Sequence, residues 1–536
     1  MKKEGEDDLS GLRPRWVKCL RSDPPPTYWL TRAVFLRGLG LVYLVAFLVA
    51  ANQLVPLVGE DGLLPATWYL DDLRFTHGSS LHGFIEQPSL FWLGASDRAL
   101  SFVSWVGVAL SVALALGASH AAIPAALWAL YLSIVHVGQV FYGYGWEMLL
   151  LETGFLGIFL CPVRSIRPLV THDPPSLAVI WLLRWVVFRL MFGAGLIKLR
   201  GDGCWVDLTC LEHHYETQPI PNPISPWLHA MPPWFHSAGV LFNHFVELVV
   251  PFFVFAPRTP RHAAGLLIVA FQGVLIVSGN LSFLNWLTFV VAIACFDDRL
   301  LGRLVPRRLV ERAGALAEER AEPSRAQRVV SIGLLAVIGV LSVQPALNLV
   351  SPRQLMNFSF DRLHLVNTYG AFGSVSRERY EVVIEGTMDE VPDDDAEWLA
   401  YELPCQPGDP MRAPCVASPY HYRLDWQMWF AALSDYERED WIVRLAYLLL
   451  RGEPSVRSLF ERDPFGGRAP RFLRARLFRY ELFRAGPGWW RREPAGTYLR
   501  VLSPSDPEMV EFLQDRGLLR GDAPRPSPLA VPESGG

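Results

Sequence analysis

Ala33-Val-Phe-Leu-Arg-Gly-Leu-Gly-Leu-Val-Tyr-Leu-Val-Ala-Phe-Leu-Val-Ala-Ala51 carries a single charge, Arg37, in an otherwise greasy run. A bilayer core about 30 Å thick takes roughly 20 such residues per helix. A signal peptide's apolar stretch is shorter, about 7–15 residues, so this run reads as a retained transmembrane anchor. Comparable runs recur at 99–117, 121–140, 146–161, 177–197, 239–256, 263–279, 281–296 and 329–350, which predicts about nine spans. The fourth, and the two that meet at Asn280, are short enough to read also as re-entrant or interfacial segments.

Composition agrees. Of 536 residues, 51% are hydrophobic and only 19% charged, and the mean hydropathy is +0.22. A water-soluble globule and a disordered chain are both excluded by that balance. The net charge of −4 offers no global attraction for nucleic acid.

Orientation follows from Lys and Arg, which are retained on the cytoplasmic side. The segment 1–32 reads as a cytoplasmic basic tail with Lys2, Lys3, Arg13, Arg15, Lys18, Arg21 and Arg32, and the loop before the last span holds Arg299, Arg303, Arg307, Arg308, Arg312, Arg320, Arg325 and Arg328. Arg164 with Arg167, and Arg258 with Arg261, fall on the same side if nine spans are right. The loop 54–98 has only Arg74 and Arg98, and the loop 198–238 only Lys198 and Arg200, so both are expected outside. An odd number of crossings places the chain after Val350 outside too. Cys204, Cys210, Cys405 and Cys415 would then lie where disulfides persist, whereas Cys19, Cys161 and Cys295 fall on the reducing side. The spacing permits bridges without fixing whether Cys204 pairs with Cys210 or with Cys405 or Cys415.

After Ser351 hydropathy falls. Segments 379–385, 397–403 and 474–483 alternate as half-buried strands do; 425–433 and 441–450 have helical spacing. The fold class is thus a polytopic α-helical membrane protein, with a transmembrane domain at 33–350 and an exoplasmic α+β domain at 351–520. The Pro-, Ser- and Gly-rich stretch 521–536 has little to bury and reads as a disordered tail.

Ionisable residues at membrane depth are functional suspects, since each costs about 2.5 kcal/mol or more unless paired or hydrated. Here they are Arg37, Glu147, Glu152, Arg184, Arg189, Lys198, His244 and Glu247. Glu152 and Glu247 are expected to neutralise Arg184 and Arg189. Asn243, His244 and Glu247 share a helical face, which predicts an intramembrane polar network of Arg184, Arg189, Glu152, Asn243, His244 and Glu247. An ion-pair network fixing helix register is the ordinary reading; a metal or proton-relay site is the sharper one. The outer loop with Cys204, Cys210, His213 and His214 matches no zinc spacing, so no metal site is assigned. Cys204 and Cys210 are not a C-x-x-C pair, which disfavours thiol-disulfide oxidoreductase activity against a static bridge. No G-x-S-x-G, P-loop or dinucleotide fingerprint is present, and no cofactor is implied. The basic stretch Arg468, Arg471, Arg474, Arg476, Arg479, Arg484, Arg491 and Arg492, interleaved with aromatics, fits lipid head groups or a client polypeptide on the outer side, or a plain solvated strand face.

Several segments together resemble the lipase maturation factor family. They are Tyr28-Trp-Leu-Thr-Arg-Ala-Val-Phe-Leu-Arg-Gly-Leu-Gly40, Tyr144-Gly-Trp-Glu-Met-Leu-Leu-Leu-Glu-Thr-Gly154, Phe188-Arg-Leu-Met-Phe-Gly-Ala-Gly-Leu-Ile-Lys-Leu-Arg-Gly201, His214-Tyr-Glu-Thr-Gln-Pro-Ile-Pro-Asn-Pro223, Phe242-Asn-His-Phe-Val-Glu247, Asn367-Thr-Tyr-Gly-Ala-Phe-Gly-Ser374 and Ser418-Pro-Tyr-His-Tyr-Arg-Leu-Asp-Trp-Gln-Met-Trp429. The similarity runs in order from about Tyr28 to about Ser503. It implies a multi-pass membrane protein, in the endoplasmic reticulum in eukaryotic members, that helps secreted lipases reach an active fold through a lumenal C-terminal region. It implies no catalytic residue. The Arg-rich loops resemble a bacterial member, whose expected partners are membrane lipids and a secreted client, a lipase among the candidates.

A shorter likeness points elsewhere. Gly193-Ala-Gly-Leu-Ile-Lys-Leu-Arg-Gly-Asp-Gly-Cys-Trp205 is similar to a segment of the vitamin K-dependent γ-carboxylase transmembrane family in which a Lys acts as base, and Lys198 occupies that place. This alternative implies a membrane enzyme in which Lys198, Glu152, His244 and Glu247 surround a lipid or quinone. A convergence of those four side chains on one cavity would favour it.

Overall fold

The computed structural model describes residues 25–520 apart from 164, 168, 170–172, 320–321 and 483–487. Most of the expected basic tail, with Cys19, and the expected tail at 521–536 lie outside the described residues, as do Arg164, Arg320 and Arg484.

Among the described residues six helical segments are long and apolar enough to cross a membrane. They are α1 (Trp29–Val58), α2 (Asp97–Ala115), α5 (Leu177–Arg200), α6 (Pro233–His244, extended to Phe255 by a π turn and a 3-10 turn), α7 (Arg258–Ser278), and α9 (Arg325–Leu341) continued by α10 (Val343–Val350). The other three expected spans form shorter helices: α3 (Ala122–Val137), α4 (Gly145–Ile158) and α8 (Leu284–Ala292). At about 1.5 Å per residue, with α8 counted on to Cys295 through its 3-10 turn, they cover roughly 24, 21 and 18 Å, less than a core about 30 Å thick. The expectation of about nine is therefore met, by length, in six. Hydropathy alone does not distinguish a residue facing lipid from one enclosed by other helices, and α4 is almost wholly enclosed.

Small residues bring the first helices together. Gly40 on α1 lies against the backbone of Ala115 on α2, and Gly107 on α2 faces the Phe47 ring, so neither place has room for a Cβ. At the start of α1, Asp298 accepts the amides of Trp29 and Leu30 at 2.9 and 2.7 Å, an acidic cap on a helix N-terminus. Its neighbour Asp297 pairs with Arg258 at 2.6 Å and with Arg261 at 3.4 Å. One end of the bundle thus gathers the starts of α1 and α7 and the chain leaving α8. The basic helix Arg307–Glu318 packs there on α1 through Ala313 and Leu316.

The C-terminal region packs on the opposite end. Its antiparallel sheet has the order β4-β3-β5-β6, with β3 Arg379–Thr387, β4 Leu399–Ala400, β5 Phe472–Leu482 and β6 Trp490–Leu502. Helices α11 (Arg423–Ala432) and α12 (Trp441–Leu450) pack on β3 and β5. The expected strands 379–385 and 474–483 correspond to β3 and β5. The expected strand 397–403 contracts to β4, after which Tyr401 N–H donates to the Ile384 carbonyl at 2.9 Å and Glu402 bridges Arg462. A separate short pair, β1 (Phe358–Ser359) with β2 (Asn367–Thr368), lies apart from the sheet, and its β2 enters the bundle. Bundle and C-terminal region share one hydrophobic core.

Candidate functional site

The segment 365–375 lies along the second half of α5. Gly193 faces the Tyr369 carbonyl, which a Cβ would approach to 2.7 Å, and Gly201 faces the Gly373 carbonyl with no room for a side chain. The two quoted glycine-rich segments are therefore one contact, strap against helix. Asn367 and Thr368 are fully enclosed near the middle of α5, and backbone at such depth is tolerated only where protein satisfies its polar groups.

Glu152 of α4 and Arg189 of α5 supply that satisfaction. They form a buried ion pair, and Glu152 also accepts the Asn367 amide at 3.1 Å and the Tyr369 hydroxyl at 2.7 Å. Arg189 donates to the Asn367 carbonyl. A carboxylate and a guanidinium thus hold an unhelical strap inside the bundle.

A second cluster lies nine residues further along α5. Lys198 Nζ donates to both carboxylate oxygens of Glu247 at 2.6 and 2.7 Å and to Asn243 Oδ1 at 3.3 Å. Asn243 Nδ2 donates in turn to Glu247 at 2.9 Å. Glu247 sits in the π turn Phe245–Val249, and such a turn often re-aims a side chain at a functional site. The Trp205 ring covers the ammonium at 5.2 Å, a cation–π contact. His244 does not join the ion pair: its Nε2 bonds to the Trp205 carbonyl at 3.0 Å and so steadies the cover. In the segment between α5 and α6, burial and then the nearby Lys198 charge hold the His214 imidazole down at about 4.

The third cluster joins bundle to C-terminal region. Arg423 of α11 pairs with Glu147 of α4 at 2.9 Å, donates to the Phe141 carbonyl at 2.6 Å and stacks on the Tyr142 ring. Tyr131 donates to the same Glu147 carboxylate. Gln53 near the end of α1 donates to the His421 carbonyl at 2.7 Å and accepts the Arg423 amide at 2.9 Å. His421 itself is enclosed by Tyr144, Trp146 and Trp426, and among the described residues neither ring nitrogen has a hydrogen-bond partner. Burial and then Arg423 hold its imidazole well below the usual histidine range.

Both cystines sit at this end. Cys204 is joined to Cys210, with Cα atoms 4.8 Å apart, and Cys405 to Cys415 at 5.3 Å. The first is packed with Trp205 and Val240. The second is tied down twice. Asp425 accepts the amides of Cys405 and Gln406 at 2.6 and 2.8 Å, while burial pushes its carboxyl up to about 7 against the pull of those amides. Asn280, between α7 and α8, donates to the Cys415 carbonyl at 2.9 Å and accepts the amides of Ala417 and Ser418.

Three expectations change. Arg184 belongs to none of these clusters: it bonds to the Ala294 carbonyl and the Tyr28 hydroxyl at the basic end, because a side chain fourteen residues from Lys198 points to another layer of the bundle. Glu247 is neutralised by Lys198, not by Arg184 or Arg189. Lys198, Glu152, His244 and Glu247 do not converge, since Glu152 and Lys198 sit in separate clusters with separate counterions, and Lys198 is a paired ammonium. Sequence reasoning passed over Arg423, Asn367, Tyr369 and Gln53. The signal for Arg423 was a basic residue inside an aromatic segment that is itself part of the family resemblance. Among the described residues no group of three or more His, Cys, Asp or Glu is arranged to hold a metal ion.

Fold and site together describe a multi-pass membrane protein whose C-terminal α+β region is locked to one end of a helical bundle by a buried ion pair and a set of buried hydrogen bonds. The chain belongs to the lipase maturation factor family: residues 30–303 match the lipase maturation factor transmembrane domain and residues 365–500 the lipase maturation factor C-terminal domain. It is 46% identical over 527 residues to lipase maturation factor 1 of Homo sapiens, covering 94% of this chain and 92% of that protein. With lipase maturation factor 1 of Bos taurus it shares 48% over 505 residues, 90% of each chain. With lipase maturation factor 2 of Homo sapiens it shares 30% over 619 residues, 92% of this chain and 86% of that one. No solved structure matches the chain.

Proposed function

We propose that this protein is a maturation factor for secreted enzymes, a lipase or esterase among them, and that it acts by binding its client outside the membrane and not by catalysis. The observation that carries the reading is the extent of the family similarity, which spans transmembrane and C-terminal domains alike, in relatives named for lipase maturation. The polar clusters support it, since Lys198, Glu152 and Glu247 are each engaged by protein partners.

The finer topology belongs to the same proposal. Nine passes would run alternately between the two ends, with α3, α4 and α8 crossing inside a sheath of longer helices that spares them contact with the full hydrocarbon thickness. Arg258, Arg261, Arg299, Arg303, Arg307, Arg308 and Arg312 at one end favour a cytoplasmic placement for it, and hence an exoplasmic placement for residues 351–520. The membrane would be a bacterial inner membrane, in keeping with the Arg-rich loops.

Deleting the gene and measuring folding and activity of exported lipases and esterases tests the role. The expected result is loss of active enzyme with normal synthesis. Unchanged activity of every exported enzyme would overturn it.

A further inference from the structure

The short helix Ser80–Glu86 lies in the loop between α1 and α2, outside the expected spans. Gly83 seats it on the Trp92 indole, where a Cβ would come within 2.5 Å of the ring. The opposite side carries Leu81, Phe84 and Ile85, one face of a helix at i, i+3 and i+4, and all three are exposed, Leu81 to 68%. Leu93, in the next turn of chain, is 92% exposed. Such an outward-facing apolar stripe is costly in water.

The neighbouring surface says what covers it. Helix α2 starts at Asp97, four residues after Leu93, and turns Phe102 and Trp105 outward. Its nineteen residues rise roughly 28 Å, about the thickness of a hydrocarbon core, which puts Asp97 at the lipid boundary. The stripe thus continues the lipid-facing wall of α2 at head-group height. On its other side Glu86 pairs at 2.6 Å with Arg362, in the turn after β1, whose Phe358 and neighbouring Phe360 are exposed.

We propose that helix Ser80–Glu86, with Leu93 and the β1 edge carrying Phe358 and Phe360, forms a collar that lies in the bilayer interface, its apolar face in the acyl boundary and its polar side at the head groups. The occupant of this surface is lipid. The assignment to the outer leaflet rests on the proposed topology; the depth does not.

Single cysteines at Leu81, Phe84, Ile85, Leu93 and, as control, His82 would be introduced into the full chain with Cys19, Cys161 and Cys295 replaced by Ala, then spin-labelled in phosphatidylcholine–phosphatidylglycerol vesicles. Collision with oxygen is expected to dominate over collision with a nickel chelate at 81, 84, 85 and 93, and the reverse at 82, with at least a several-fold difference in the ratio. Nickel access at all five positions overturns the proposal, as do immobile labels that neither reagent reaches, the sign of a protein partner. Nickel added only outside sealed vesicles of known orientation reads the leaflet: if it fails to reach position 82 while the oxygen pattern holds, the topology falls and the collar stands.

Discussion

Arg423 and Glu147 lie 276 residues apart in the chain and meet at 2.9 Å, both side chains shut off from solvent. One belongs to the C-terminal region and the other to the bundle, so the contact ties the two together. Removing one member of a buried pair strands the other and costs about 3–5 kcal/mol, whereas removing both is often close to neutral.

Arg423→Met is therefore expected to lower stability by that order, seen as a sharp fall in the thermal midpoint, and to make the C-terminal region sensitive to protease. Combining it with Glu147→Gln, which keeps an acceptor for Tyr131, is expected to recover most of the loss. Additive effects of the two substitutions, read by tryptophan fluorescence melts in detergent, would show that the pair is not coupled.

Lys198 separates a structural from a catalytic role. Lys198→Met leaves Glu247 buried without its cation, and a loss of about 3–5 kcal/mol is expected. Lys198→Met with Glu247→Gln restores an uncharged, hydrogen-bonded site beside Asn243, and both stability and maturation of a co-expressed secreted lipase are expected to return. A double variant that folds but yields inactive lipase would instead make the Lys198 ammonium part of the chemistry.

These pairings also mark where the sequence stops being informative. Apolar length marked the bundle, and helical spacing placed Asn243 and Glu247 on one face. Neither says which neighbouring helix that face meets, so Lys198 was not singled out as the partner of Glu247. Strand β6 was not among the expected strands: it contains Pro494 and Gly496, which interrupt a strand pattern and are accommodated because β6 is an edge strand whose pairing with β5 shifts register between them. Arg491 and Arg492, for which the sequence left two readings open, occupy exposed positions on the two faces of β6.

Acid should loosen the junction through His421. Its imidazole titrates well below an ordinary histidine because burial, and next Arg423, penalise the charged form. The unfolded chain then binds a proton that the folded chain does not once the pH falls below about 6.5. Stability is full above that value and declines as the pH drops through it. His421→Phe keeps the ring among Tyr144, Trp146 and Trp426 without a titrating nitrogen. The variant is expected to show a flatter decline between pH 6.5 and 5 in melts run in parallel, and an unchanged slope would remove His421 as the source.

The cystines give a count that is readable by mass. Cys204–Cys210 and Cys405–Cys415 account for four of the seven cysteines. Denatured without reductant, the chain is expected to take up three alkyl groups, at Cys19, Cys161 and Cys295, and all seven only after reduction. Each bridge closes a short loop, for which chain entropy predicts about 2–3 kcal/mol. Loss of the first bridge in a Cys204→Ser, Cys210→Ser variant should also free Trp205 from Lys198, so the fall in stability should exceed that of the matching change at Cys405 and Cys415. Equal losses would mean that Trp205 is held by its bond to the Phe372 carbonyl and not by the cystine.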